Sequence, residues 1–170
     1  VSTTARFKTP WQASIGARYA IARGVTLDAQ VTRFGWDKFS AITLAAPVNA
    51  AIPENYRNTW SYAVGADIDV APTWTLRGGV QRDLTPVRDN QRDARVPDAN
   101  RWTFALGATH ALTRSFKIDA GANYIMLRSS PIDRTTAAYA GTPVQTPILV
   151  DGALSKAHVF VLSLGGRLSF

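Results

Sequence analysis

The sequence predicts an all-β fold: an antiparallel transmembrane β-barrel, with about seven to eight strands in this chain as part of a larger barrel. Three observations predict it. Apolar and polar side chains alternate with a period of two along seven segments, which is the period of a strand and not of a helix. The connections between segments alternate between tight turns and long loops. On the apolar stripes, aromatic residues gather near the ends and leave Ala, Leu, Val and Ile in the middle.

The segments follow in order. Residues 11–22 set Trp11, Ala13, Ile15, Ala17, Tyr19 and Ile21 against Gln12, Ser14, Gly16 and Arg18. Residues 25–36 set Val25, Leu27, Ala29 and Val31 against Thr26, Asp28, Gln30 and Thr32. Residues 56–70 are the clearest: Tyr56, Trp60, Tyr62, Val64, Ile68 and Val70 oppose Arg57, Thr59, Ser61, Asp67 and Asp69. Residues 73–84 place Trp74, Leu76 and Val80 opposite Arg77, Gln81 and Asp83, and residues 101–111 place Trp102, Phe104 and Leu106 opposite Arg101, Thr103 and Thr109. Residues 115–128 carry Phe116, Ile118, Tyr124 and Met126 against Lys117, Asp119 and Asn123. The last, residues 157–170, carries Phe160, Leu162, Leu164, Leu168 and Phe170 against Ser163, Arg167 and Ser169.

Residues 23–24, 71–72 and 112–114 are tight turns, whereas 36–55, 85–100 and 130–156 are long loops. Short turns at one end and long loops at the other are the pattern of an outer-membrane barrel. A soluble β-sandwich also alternates, but has no reason to sort its loops by length. The aromatics divide likewise. Trp60, Tyr62, Trp102, Phe104, Tyr124 and Phe160 lie toward the long loops, and Tyr19, Trp74, Phe116 and Phe170 toward the short turns. Two aromatic belts around an aliphatic band match two membrane–water interfaces.

Composition narrows the chemistry. The chain has 170 residues, no cysteine, two histidines and a formal charge of +7. Disulfides and thiolate metal sites are excluded, and no cofactor is expected. No run reaches the roughly 18 apolar residues of a spanning helix, and no basic-then-apolar leader opens the chain. His110 and His158 both fall on the outward stripe with no serine partner in sequence, which argues against an enzyme. Scattered loop cations, Arg88, Arg92, Arg95 and Arg134, fit anionic outer-leaflet lipopolysaccharide better than nucleic acid.

The polar stripe would face the lumen. Its charges, Arg18, Asp28, Asp67, Asp69, Arg77, Asp83, Arg101, Lys117, Asp119 and Arg167, read as an internally satisfied network. Six glycines share that stripe at similar heights: Gly16, Gly65, Gly79, Gly107, Gly121 and Gly165. Glycine in a strand marks a bend or a close approach, so the ring implies either barrel curvature or a body packed in the lumen. The long loops are apolar, with Ile42, Leu44, Val48 and Ile52 in the first and Val144, Ile148, Leu149 and Val150 in the third. Such surface marks either loop-on-loop packing or a hydrophobic ligand site.

Several stretches resemble one family. Asp83-Leu84-Thr85-Pro86-Val87 and Arg95-Val96-Pro97-Asp98-Ala99-Asn100-Arg101-Trp102 are similar to the long-chain fatty acid transporter (FadL-type) family of Gram-negative outer membranes. So are Trp74-Thr75-Leu76-Arg77-Gly78-Gly79, Thr9-Pro10-Trp11 leading into Gly16 and Tyr19, and Phe34-Gly35-Trp36-Asp37-Lys38-Phe39. The terminal Phe170 resembles the signal read by the barrel assembly machinery. The resemblance implies a fourteen-stranded monomeric barrel, of which 1–170 would be the C-terminal part, with residues 2–8 the end of an eighth strand. The lumen-filling N-terminal hatch and the first strands would lie outside this chain.

The resemblance further implies passive uptake of long-chain fatty acids or other hydrophobic small molecules, captured between extracellular loops and passed through a plugged barrel. The alternative is a general porin for polar solutes. A family cation near the cargo carboxylate has no match in Ile52-Pro53-Glu54-Asn55; the nearest candidate is Arg57. The expected cargo contacts are therefore Arg57, Ile42, Leu44, Ile148 and Leu149. Pro86, Pro97, Asp98 and Arg101 are expected to fix the second loop, with Asp98–Arg101 a modest surface pair.

Overall fold

The computed structural model describes residues 2, 4–47, 49–94, 97–139 and 143–170. Its strands are β1 (Ala5–Arg6), β2 (Trp11–Ala22), β3 (Val25–Gly35), β4 (Ala41–Leu44), β5 (Ala50–Pro53), β6 (Thr59–Ala71), β7 (Trp74–Asp83), β8 (Arg101–Ala111), β9 (Phe116–Leu127), β10 (Ser130–Ala138), β11 (Thr146–Leu154) and β12 (His158–Leu168). Seven of these form one antiparallel sheet in the order β12-β9-β8-β7-β6-β3-β2. They are the seven alternating segments, with ends that agree to within three residues. The edge strands β2 and β12 do not pair with each other, so the sheet does not close on itself.

The tight turns form where expected. Gly24 closes the β2–β3 turn at φ +72°, a left-handed position that a side chain would strain. The long connections are more ordered than the sequence suggested. Residues 130–156 hold the hairpin β10–β11, in register from Ser130↔Leu154 to Ala138↔Thr146. The first loop holds β4 and β5. Among the described residues of 2–8, none extends the wall as an eighth strand. Their β1 pairs instead with β4, as Ala5↔Leu44 and Arg6↔Thr43, because the first loop offers it a free edge. The segment 56–58 also leaves the wall, since the Tyr56 ring packs against Trp36 and Phe39 at 5.8 and 5.1 Å.

Where the apolar surface goes decides between barrel and sandwich. The buried hydrophobic residues described are Val87, Ala99 and Ile132, and all three belong to the long connections. On the sheet the greasy stripe is bare. Trp60, Trp74 and Trp102 are 39%, 42% and 42% exposed, and Leu106 and Leu164 are 72% and 81% exposed. A sandwich would bury these rings between two sheets. A sheet whose apolar face has no protein partner needs lipid as its solvent. The aromatic belts form as stacked neighbours on that face: Trp60 on Tyr62 at 6.4 Å, Trp102 on Phe104 at 6.5 Å, and Trp74 on His110 at 4.2 Å.

Candidate functional site

Two surfaces carry polar chemistry, the inner face of the sheet and the cap formed by the long connections. On the inner face, side chains from six strands join into a ladder near the short turns. Asp67 on β6 accepts from Arg18 on β2 and lies 3.4 Å from Nε of Arg77 on β7. Arg77 donates to the Thr109 hydroxyl on β8, which in turn donates to Asp119 on β9. Arg167 on β12 closes the run at 3.1 Å from Asp119. Toward the long loops, Arg101 bridges Asp83 at 3.2 Å and Asp98 at 3.1 Å, while Thr85 donates its hydroxyl to Asp98 at 2.7 Å. Among the described residues no buried side-chain polar atom lacks a partner. The expected Asp98–Arg101 pair is therefore one arm of a half-buried network and not an isolated surface pair. Each solvent-facing pair contributes at most about 1 kcal/mol.

The glycine row lies one pleat above the ladder, each glycine two residues from a ladder member on its strand. A trough of about 440 Å³ runs over it, lined by Asp28, Gly65, Gly79, Gln81, Gly107 and Asn123 among others. Close approach accounts for part of the row. A Cβ on Gly79 would meet the Val64 carbonyl at 3.2 Å, and one on Gly121 would meet the Ser163 hydroxyl at 2.8 Å. Gly107 has no such constraint: its nearest neighbours would sit at 3.5 and 3.7 Å, ordinary contact distances.

The cap is clamped by two arginines. Arg92, 1% exposed, donates from Nε to the Asp98 carbonyl at 2.8 Å and from Nη1 to the Pro131 carbonyl at 2.7 Å, and pairs with Asp89 at 3.0 Å. Arg134 donates to the Gln91 and Pro53 carbonyls at 3.3 and 3.0 Å and to Asp93 at 3.2 Å. The three long connections are thereby tied into one body. Arg88 donates to the Asn55 carbonyl. Of the loop cations expected to meet lipopolysaccharide, Arg88, Arg92 and Arg134 each donate to a carbonyl of the protein, and Arg92 and Arg134 also pair with Asp89 and Asp93. Arg95 lies outside the described residues, as do Val96 and Val48.

Beneath the clamps is a cavity of about 320 Å³ lined by Phe39, Ile42, Ile52, Glu54, Tyr56, Val87, Gln91 and Asp93. Its wall continues an aromatic cluster in which Phe39 meets Phe7 and Trp36 edge-on at 6.0 and 6.3 Å. Burial, and then the charge of Glu54, which also accepts its hydroxyl, push the Tyr56 phenol up to about 12. The cavity thus presents a neutral phenol and two carboxylates, Glu54 and Asp93. The cation beside it, Arg134, is already engaged.

Of the five expected cargo contacts, Ile42 lines this cavity. Leu44 pairs with Ala5 and Ala50 in the small sheet. Ile148 and Leu149 lie on β11, 43% and 65% exposed, opposite Thr136 and Thr135. Arg57 is exposed and occupied: its Nε reaches the Thr85 carbonyl at 3.4 Å and its backbone N–H the Pro86 carbonyl at 3.1 Å. Phe39, Tyr56 and Val87 were not anticipated in the lining. Phe39 and Tyr56 carried a signal, as aromatics bracketing the apolar first loop.

The whole chain, residues 1–170, matches the model of a family described as "Outer membrane protein transport protein (OMPP1/FadL/TodX)". Among solved structures, a Pseudomonas aeruginosa FadL homologue superposes with a TM-score of 0.84 at 30% identity, covering 98% of this chain and 37% of that one. Among curated proteins, a long-chain fatty acid transport protein of Escherichia coli O6:H1 is 32% identical over 72 residues, 42% of this chain and 16% of that protein. Outer membrane protein P1 of Haemophilus influenzae is 36% identical over 70 residues, 41% of this chain and 15% of that protein. The aligned region is thus about a sixth of each of these two curated relatives, and this chain spans little more than a third of the solved one.

Proposed function

From the premise that this chain belongs to the OMPP1/FadL/TodX family of outer-membrane transport proteins of Gram-negative bacteria, we propose that it forms part of a barrel for passive uptake of hydrophobic small molecules. Long-chain fatty acids are included, since relatives are named for transporting them. The complete barrel is larger than these seven strands, about fourteen in all, with an N-terminal hatch against the inner trough. The family is one of transporters and not of enzymes.

The observation that carries the reading is the cavity under the clamps. Four apolar side chains, Phe39, Ile42, Ile52 and Val87, line a space that the loops hold open and do not fill. Exposure of an apolar cavity at the long-loop end favours capture of a hydrophobic compound from outside. The charged side chains in its lining are carboxylates, Glu54 and Asp93, with Asp93 already paired to Arg134, so the apolar part of the cargo is held first and an anionic head is held poorly. Cargo then moves from the loops into the lumen, past the ion ladder.

The test uses the complete protein in lipid nanodiscs. Titration with labelled decanoate and decanol should give saturable binding that Ile42→Trp, which fills the cavity, abolishes. Conductance should lack the large steady steps of an open porin. Absence of binding together with porin-like steps would refute the proposal.

A further inference from the structure

The outward stripe of the wall should be free of charge, and over most of its area it is. Among charged residues within the seven wall strands, only Arg33 and Arg82 lie on it. Register fixes their side. Arg33 pairs with Trp60, Tyr62 pairs with Arg82, and Arg82 pairs with Trp102, so all five face lipid together. Both arginines sit within two residues of the long-loop end of their strands. The short-turn end of the same face carries Tyr19, Trp74, His110 and Phe116, with no lysine or arginine.

Each guanidinium is held in the same way. Cζ of Arg33 lies 4.8 Å from the Trp60 ring centroid, and Cζ of Arg82 lies 4.8 Å from that of Trp102. Neither forms an ion pair with a carboxylate among the described residues. Stacking on a ring orients the guanidinium plane and leaves its N–H fork unspent. Among the described loop arginines, Arg92 and Arg134 are engaged internally, as described above. A lone charge on the lipid face is costly at mid-bilayer and nearly free at the interface, which is where both stand.

We propose that Arg33 and Arg82, with Trp60 and Trp102, form a docking site for the phosphorylated head group of lipopolysaccharide in the outer leaflet. The guanidinium forks match phosphate oxygens, and two of them, on strands separated only by β6, suit a lipid with more than one phosphate. Acyl chains lie along the aliphatic band below, over Val64, Val80 and Leu106. The ligand is structural, fixing the height and tilt of the barrel in an asymmetric membrane.

The experiment uses the complete barrel in detergent, titrated with bis-phosphorylated lipid A and with the same lipid after phosphatase treatment, and read by native mass spectrometry. The wild-type protein should bind the phosphorylated form about tenfold or more tightly, the loss expected when charge-assisted contacts go. Arg33→Gln/Arg82→Gln should erase that preference, and Arg33→Lys/Arg82→Lys should retain part of it. Equal affinity for the two lipids in the wild type, a comparison that needs no variant to fold, would overturn the proposal. So would an unchanged preference in a folded double-glutamine variant.

Discussion

Arg92 Nη1 donates to the Pro131 carbonyl oxygen at 2.7 Å, joining the second long connection to the third through a guanidinium that is 1% exposed. The same side chain holds Asp98, which in turn meets Arg101 at the rim of the wall. The cap is therefore not a set of independent loops. It is a small folded body with its own buried residues, Val87, Ala99 and Ile132.

Arg92→Met should release that body without melting the wall. It takes the charged donor away from two part-buried carbonyls, those of Asp98 and Pro131, and should cost the cap about 2–3 kcal/mol. Hydrogen exchange should quicken in residues 86–100 and in β10, while β6 to β9 keep their protection. Uniform destabilisation of cap and wall alike would show that the two are one cooperative unit.

Tyr56 gives a pH signature. Its phenol is raised from 10.0 to about 12 by burial first and by Glu54 second. A raised acid of this kind stabilises the cap fully below pH 10 and loses that contribution as pH climbs through 12. Phenolate absorbance from Tyr56, isolated by difference against Tyr56→Phe, should appear near pH 12. Glu54→Gln should lower that midpoint part of the way, because burial remains. A midpoint at the ordinary tyrosine value in the unmodified chain would contradict the packing described.

The cavity chemistry sets a cargo ranking. Glu54 and Asp93 are acceptors, Arg134 is engaged, and Arg57 is bound to the second loop. An alkyl alcohol should bind at least about fivefold more tightly than the carboxylate of equal length, and Glu54→Gln should narrow the gap. Competition calorimetry on the complete protein reads both affinities. A preference for the carboxylate would mean that a cation outside this cavity governs capture.

Gly107 distinguishes curvature from occupancy. A Cβ there meets only ordinary contacts within this chain, and the trough lies open over it, so Gly107→Leu should leave the sheet intact. In the complete protein the same change should displace a body packed on the trough and raise ion conductance. Conductance equal to wild type, with the barrel folded, would mean that nothing rests on that glycine.

What the sequence made legible follows from where its periodicity is enforced. Lipid on one side and polar groups on the other impose strict alternation, so β2, β3, β6, β7, β8, β9 and β12 could be read to within a few residues. The hairpin β10–β11 stands outside that two-solvent regime, and its prolines, Pro131 and Pro147, disguised it as loop. Residues 2–8 read as a wall strand because two-residue strands carry too little pattern to assign a partner. Arg92 and Arg134 looked like solvent charges because nothing local marks an arginine whose acceptors lie 39 and 81 residues away. Arg33 and Arg82 interrupt the outward stripe in plain view, yet their meaning depends on cross-strand register with Trp60 and Trp102.

The central claim is that the apolar stripe faces lipid and the polar stripe faces the lumen. This chain contributes no cysteine, so in a cysteine-free background of the complete barrel single cysteines placed along β8 can carry a spin label. Labels at 102, 104, 106 and 108 should collide with dissolved oxygen and be shielded from a water-soluble nickel chelate, whereas labels at 103, 105, 107 and 109 should do the reverse. Alternation with a period of two in that phase is the predicted result; equal accessibility at both sets, or the opposite phase, would contradict it.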